Sequence, residues 1–543
     1  MRELIRTYIG DVVRKIAPKF DGQISVDLTL NKDYGDYTTN VCFNLAKILR
    51  KSPQTVAEEL VKKLIRQLAD RELSKIEAKS GFINFYLSEE CLYHQLKDVL
   101  NLKNKYGFSD KYKKYKIQLE FISANPTGPL TMGNGRGGFF GDTLANALKS
   151  QGYKVMREFY INDRGGQILA LGKSIKLAQG KKMDLKKVEL KNLYKGDYIK
   201  KLAKQIDKNL SIEESGQKAV DLILNTYIKP VIKKVGINYD IWFSEKSLYK
   251  GDNYERIMKD LMTKELIYEK DGATWMKTSD LGDTEDRVLI KNNGDETYFM
   301  SDILYHLNKF KVRKFDKVIN IWGADHHGDV PRLTGAMKAL GLSSEDLKII
   351  LIQFVRSVSG GREAKISKRA GTFVTLEELV NEVGLDAARF FFLMYSTNTH
   401  MDFDMALAKE RSKKNPVYYV QYAHARLSSI LNKAQRANYK LQTTNYKQIT
   451  NLKLLKTKDE LNLIRKLIEY PELLEDISES YEVHHLPRYA LELAREFHNF
   501  YEKERVITED KNLTSARLAL IAATKIVLAN VLKLMGIKAP DRM

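Results

Sequence analysis

Two stretches of this 543-residue chain carry residue types at a spacing suited to polyphosphate chemistry. The first runs from Ser123 to Arg136, SANPTGPLTMGNGR. Phosphates bind where backbone N–H groups and a helix N-terminus converge, and small residues let the anion come close. Gly133, Gly135, Gly137 and Gly138 supply that closeness, with Asn134 and Arg136 as polar arms. The glycine order is neither a Walker A loop nor a dinucleotide fingerprint, so taken alone it is only a glycine-rich turn. The second stretch is GGREAKISKRAGT, Gly360 to Thr372. Lys365 and Lys368, flanked by glycines, make a cationic loop able to close on a polyphosphate, and Thr375 with Glu378 forms a capping box that starts the next helix. A charged surface loop accounts for the same residues equally well. His306, His326 and His327 invite a metal reading. However, adjacent histidines cannot both face one side of a helix, and no cysteine lies nearby, so no metal site is expected.

These residues need elements to hold them. Ile117, Leu119 and Phe121 alternate with polar neighbours as in a strand, which Pro126 and Pro129 cannot continue. From about Gly137 the apolar positions Phe140, Leu144 and Leu148 recur at helical spacing, Gly152 marks a stop, and a second strand runs from Tyr153 to Ile161. The result is a β-α-β unit with a glycine-rich loop at its first turn. Strand character returns at 287–290 and 318–322 around a helical stretch, 301–310, and is expected to complete a doubly wound sheet. Residues 1–110 read as a separate α+β domain, with a helical apolar stripe from Leu4 to Ile16 and a strand at 81–87. The doubly wound domain is expected over 111–415, with a lysine-rich insertion at about 164–280 and the lysine loop at 360–372. From Pro416 to Met543 the chain reads as all helical, Pro416 suiting a first turn.

Lys plus Arg outnumber Asp plus Glu by 90 to 69, a net charge of +21, which in a chain of 43% hydrophobic content favours a polyanionic partner such as nucleic acid. Cys42 and Cys91 are the only cysteines. They give no disulfide framework, and a reducing cytoplasmic setting is expected. The first residues show no signal-like apolar core. The apolar run 516–537 is broken by Arg517, Lys525 and Lys533, as in a helix buried in a bundle rather than one in a membrane.

Taken together the motifs resemble arginyl-tRNA synthetases, a family of class I aminoacyl-tRNA synthetases. Ser123–Arg136 is similar to the family's HIGH-type loop and Lys365–Arg369, KISKR, to its KMSKS-type loop. Asn125–Leu130 (NPTGPL), Tyr160–Asp163 (YIND), Gly323–Gly328 (GADHHG), Asn415–Arg426 (NPVYYVQYAHAR) and Ala539–Met543 (APDRM) resemble the same family. The resemblance spans the chain. It implies a Rossmann-type α/β catalytic domain between a tRNA-elbow-binding N-terminal domain and a helical anticodon-binding domain. It also implies attachment of L-arginine to its tRNA through an arginyl-adenylate, with ATP and Mg²⁺ and no protein-bound structural metal, by a monomer. Carried over by position, Ser123, Asn125, Gly133, Asn134, Lys365, Ser367 and Lys368 would bind ATP, with Lys365 and Lys368 stabilising the pyrophosphate. Glu120, Asn125, Tyr298, Asp302 and His326 would bind arginine, and Tyr418, Tyr422 and Arg426 tRNA.

One position departs. The first histidine of the HIGH-type loop is Thr131 here and the last is Asn134. Thr131 keeps a hydroxyl for phosphate but loses the imidazole. A catalytically silent tRNA-binding homologue is the alternative reading that this departure motivates.

Overall fold

The computed structural model describes residues 1–29, 31–67, 72–186, 190–250, 253–343, 345–359, 362–363, 374–437 and 451–543. Its central sheet has five parallel strands. β1 (Lys116–Glu120) leads through helix α1 (Met132–Ser150) to β2 (Lys154–Ile161), and β3 (Ile241–Ser244) follows. After helix α2 (Tyr298–Leu307) come β4 (Lys317–Gly323) and β5 (Leu347–Ile352). Across the sheet the order is β5-β4-β1-β2-β3. Ile117, Leu119, Phe159, Val318 and Ile319 are wholly buried, as strands covered on both faces require. The chain winds outward from β1 to β3, then restarts on the other side of β1 with β4. The crevice between the C-terminal ends of β1 and β4 is therefore the topological switch point, where open α/β sheets take ligands.

Three expectations need correction here. α1 begins at Met132 rather than near Gly137, because Thr131 and Asn134 cap it. The strand Arg287–Ile290 forms, but outside the central sheet: it pairs antiparallel in a three-stranded sheet with Ala273–Met276 and Ile267–Lys270. Its partners are the hairpin next to it in sequence, which costs little chain entropy to reach. Nor is 164–280 wholly an insertion, since it returns β3 to the edge of the central sheet against Glu158–Ile161.

The N-terminal part folds as the helix Arg2–Ile16 with an antiparallel four-stranded sheet that includes Leu73–Lys79 and Phe82–Leu87. Among the described residues, the C-terminal part has four long helices, α3 (Pro416–Arg436), α4 (Lys458–Ser480), α5 (His485–Lys503) and α6 (Lys511–Leu534). Pro416 occupies the first turn of α3, and the Asn415 side chain caps the Val417 N–H at 3.1 Å. Only α6 among the described residues is long and apolar enough to cross a membrane; 78% of its apolar window is buried inside the protein. One apolar core runs without a break from Ile5 to Ile537, and a second packs around α2 from Leu248 to Leu347.

Candidate active site

β1 ends in strained backbone. Ile122 and Ser123 adopt φ of 64° and 37°, a left-handed conformation that is costly for a β-branched residue and persists only where surrounding structure enforces it. The Ser123 hydroxyl accepts the Tyr160 N–H from β2 at 3.1 Å, which pins this turn to the sheet. Thr131 then caps α1. Its backbone N–H and its hydroxyl both donate to Asn134 Oδ1, at 2.8 and 3.0 Å. The two positions expected to meet phosphate separately are thus bonded to each other, and the Thr131 hydroxyl proton is already engaged.

The glycines divide by role. Gly133 is exposed, and a Cβ there would meet only the Thr131 hydroxyl at 3.7 Å, so the helix start is open to a ligand. A Cβ on Gly135 would lie 2.7 Å from Leu376, and one on Gly138 2.8 Å from Ile122. These two let neighbouring elements pack against α1 and do not serve phosphate approach. Arg136, expected as a polar arm, is buried and donates to three carbonyls, Gln353 (2.8 Å), Ser396 (2.8 Å) and Thr399 (2.7 Å). Burial with no anion beside it pushes its pKa down to about 10.

Lys365, Ser367 and Lys368 lie outside the described residues. The segments on either side are joined to the site just built. Arg362–Glu363 pairs antiparallel with 358–359. Beyond the loop, the Met132 N–H donates to the Val374 carbonyl and the Leu376 N–H to the Leu130 carbonyl, each at 2.9 Å. Thr375 and Glu378 form the capping box read from the sequence.

The sheet face opposite the one α1 covers carries a row of two acids and an amide beside α2. Asn320 on β4, Glu120 on β1 and Glu158 on β2 are cross-strand partners in one row, all buried. Each is held by a residue from α2 or the turn after it. The Lys309 ammonium lies 2.7 Å from Glu120 Oε2 and 2.9 Å from Asn320 Oδ1. Arg313 and the Tyr305 hydroxyl bind Glu158. His306 donates from Nδ1 to the Asp302 carbonyl (2.7 Å) and accepts the Asn320 amide at Nε2 (2.6 Å). Burial and the Lys309 charge keep its pKa well below the ordinary value, which fits this neutral tautomer.

Asp302 has its pKa raised to about 8, by burial first and then by the charges of Glu120, Asp329 and Glu245. The Lys309 charge offsets only part of this repulsion. Tyr298 is half exposed and lines a cleft of about 710 Å³ with Glu245, Ser301, Asp163 and Arg164. The expectation that Tyr298 and Asp302 share one cavity needs qualification, because Asp302 is not part of that cleft's lining. Glu245 connects the two places: its Oε1 accepts the Ser301 hydroxyl at 2.8 Å, and its Oε2 is buried without a partner. His326 is exposed and bonded to Asp329 at 2.9 Å. Asn125 is half-buried in the turn after β1. Sequence reasoning missed Glu158, Glu245, Lys309, Arg313 and Asn320. A glutamate inside KVMREFYI and an asparagine inside KVINIWG were the available signals, since polar side chains in buried strands need partners.

The chain matches three family profiles in order: "Arginyl tRNA synthetase N terminal domain" over residues 3–87, "tRNA synthetases class I (R), catalytic domain" over 95–399, and "DALR anticodon binding domain" over 420–543. It is 43% identical to the arginine–tRNA ligase of Citrifermentans bemidjiense over 96% of this chain and 95% of that one. To that of Thermotoga maritima it is 42% identical over 99% of each. The chain belongs to the arginyl-tRNA synthetase family. Among solved structures of the family, the putative arginyl-tRNA synthetase of Campylobacter jejuni superposes with a TM-score of 0.74 at 34% identity, over 84% of this chain and all of that one. The Thermus thermophilus enzyme gives 0.79 at 21% identity over the whole of both chains, a likeness of fold.

In the helical domain that the family names for anticodon binding, the three residues expected to meet tRNA form one patch. The Tyr418 and Tyr422 rings stack 6.5 Å apart, and the Arg426 guanidinium lies 5.6 Å from the Tyr422 ring and 4.6 Å from that of Tyr501. His498 on α5, which the sequence did not single out, stacks on Tyr422 at 6.2 Å. All three expected residues are half-buried, so each both packs and presents an edge.

Proposed function

We propose that the switch-point crevice is where this arginine–tRNA ligase makes its arginyl-adenylate. The observation that carries the assignment is the cluster of carboxylates Glu120, Glu245 and Asp302 beside α2, of which, among the described residues, Glu120 alone has a cation, Lys309, within salt-bridge distance. Asp302 with Glu245 receives the guanidinium, Tyr298 flanks it, and Glu120 and Asn125 hold the α-amino end. His326 acts at most through Asp329. ATP lies against the open start of α1 at Gly133 and Asn134, beside the Ser123 turn. Thr131 shapes that start as a cap and is not a phosphate ligand. Arginine's carboxylate attacks the α-phosphorus and pyrophosphate leaves; the tRNA's terminal 2′-hydroxyl then attacks the arginyl carbonyl, and AMP leaves with the acyl–phosphate bond broken. No covalent enzyme intermediate is needed: catalysis comes from positioning and from cations on the developing phosphate charge. Lys365 and Lys368 supply two of these cations, Ser367 a hydroxyl, and Mg²⁺ enters with the nucleotide.

Residues 1–110 meet the tRNA elbow, 111–415 catalyse, and 416–543 take the anticodon region through Tyr418, Tyr422 and Arg426. We assign the protein to the cytoplasm as a monomer; its two cysteines are unbridged and buried. The relatives of full coverage carry the ligase name, and nothing among them favours the catalytically silent reading. Arginine-dependent exchange of pyrophosphate into ATP should appear when cognate tRNA is added. Absence of exchange and of charging with tRNA present would overturn the ligase assignment. Lys368→Ala should slow exchange with tRNA affinity kept; equal loss of both would contradict its role.

A further inference from the structure

The Lys309 ammonium is enclosed completely. Its three donors are accounted for by Glu120 Oε2 at 2.7 Å, Asn320 Oδ1 at 2.9 Å, and the face of Tyr305, whose ring centre is 3.9 Å away. Glu120 and Asn320 are cross-strand partners on β1 and β4. The lysine therefore clips together the two strands whose ends frame the ligand crevice. Through Asn320 and His306 the same chain of hydrogen bonds reaches the backbone of Asp302. A structural role alone would be served by any neutral, well-packed pair, and a buried ion pair is costly to maintain. What the lysine adds is charge at a substrate-binding carboxylate. It commits one Glu120 oxygen and cancels one negative charge beside a pocket whose remaining acids, Asp302 and Glu245, still call for a cation.

We propose that Lys309 is a specificity-determining residue of the arginine pocket, a built-in cation that offsets Glu120 and so sets how much positive charge a ligand must bring. This rests on the reading of Glu120 as a pocket carboxylate. Arginine carries a guanidinium, an ammonium and a carboxylate, net +1. The same molecule without its carboxylate, agmatine, carries +2. With Lys309 in place the pocket favours the amino acid. With one more uncompensated negative charge it shifts toward the diamine-like ligand.

The test is a charge series in the intact chain with tRNA present, reading arginine KM and the inhibition constant of agmatine in pyrophosphate exchange. Lys309→Met removes the positive charge that offsets Glu120, Glu120→Gln removes a negative one, and the double variant restores the wild-type balance. The ratio of arginine KM to agmatine inhibition constant is expected to rise about tenfold in Lys309→Met, to fall about tenfold in Glu120→Gln, and to return near wild type in the double variant. Should Lys309→Met fail to fold, Glu120→Gln against the double variant measures the same step. A ratio constant across the series, with arginine KM raised by Glu120→Gln, overturns the proposal and leaves Glu120 in the pocket. An arginine KM untouched by Glu120→Gln removes Glu120 from the pocket and overturns both.

Discussion

Asp302 ties the chemistry of this site to pH. Burial, and after it the neighbouring carboxylates, hold its pKa near 8, so at neutral pH the empty pocket keeps a proton there. On the proposed assignment of Asp302 to the guanidinium of arginine, the arriving ligand needs the ionised form and expels that proton. Arginine KM is therefore expected to fall as pH rises from about 6.5 to 8, approaching tenfold per unit, and to level above that. Exchange kinetics across this range test the point; a flat profile would refute it. Asp302→Asn should abolish the slope and raise KM on the order of a hundredfold, because a bidentate charged partner is lost. At the same scale, the role of Thr131 is legible only in the folded chain. Its place in the motif suggests phosphate, whereas its bonds to Asn134 make it a helix cap, and Thr131→Ala should cost about 1 kcal/mol of stability.

At the scale of elements, α1 is fitted to the sheet by missing side chains. A Cβ on Gly141 would come within 2.4 Å of the Phe121 ring, closer than any real contact. Gly141→Ala should therefore destabilise the fold by about 1–3 kcal/mol despite its better helix propensity, since a packed interior cannot yield that distance. Denaturant unfolding of the variant gives the value, and a stabilised protein would contradict the packing described. The glycine-rich stretch thus serves two purposes that look alike in sequence. Gly133 opens the helix start to a ligand, and the later glycines bring α1 onto β1 and its neighbours. The helix–loop junction is similar: the N-terminus of α1 and that of Leu376–Val383 are stitched by two backbone bonds, so the residues after the lysine loop are fixed against the first turn of α1.

Across the whole molecule, the N-terminal and helical parts are one body. Glu472 on α4 is buried and accepts the Arg2 backbone N–H and the Tyr37 hydroxyl, each at 2.9 Å, while Arg465 reaches Asp36 at 2.9 Å. Tyr106 and Tyr470 stack across the same junction. The sequence divides into three domains by composition, but the first and last share a continuous core. Net charge acts at this scale too. With +21 on the chain, tRNA affinity should fall at least about tenfold between 50 and 200 mM salt, through release of counterions from the phosphates. Filter binding across that range tests it, and a salt-independent affinity would refute an electrostatic tRNA surface.

The family, the β-α-β unit and the helical C-terminus were decided by sequence alone, because hydrophobic period and motif wording are local properties of the chain. Glu120 and Asp302 were likewise visible as acids at matching positions. Which residues answer those acids was not. Lys309 lies 189 positions from Glu120, and Glu245 meets Ser301 across 56. Both look like surface charges until the sheet order brings β1, β2 and β4 side by side. The strand 287–290 is legible in sequence but its sheet is not, for the same reason: alternation reveals a strand, and only tertiary packing chooses its partner. The sequence by itself determined what kind of enzyme this is. The tertiary structure decided how its pocket is charged, because an ion pair in a buried crevice depends on distance in space, which chain position does not encode.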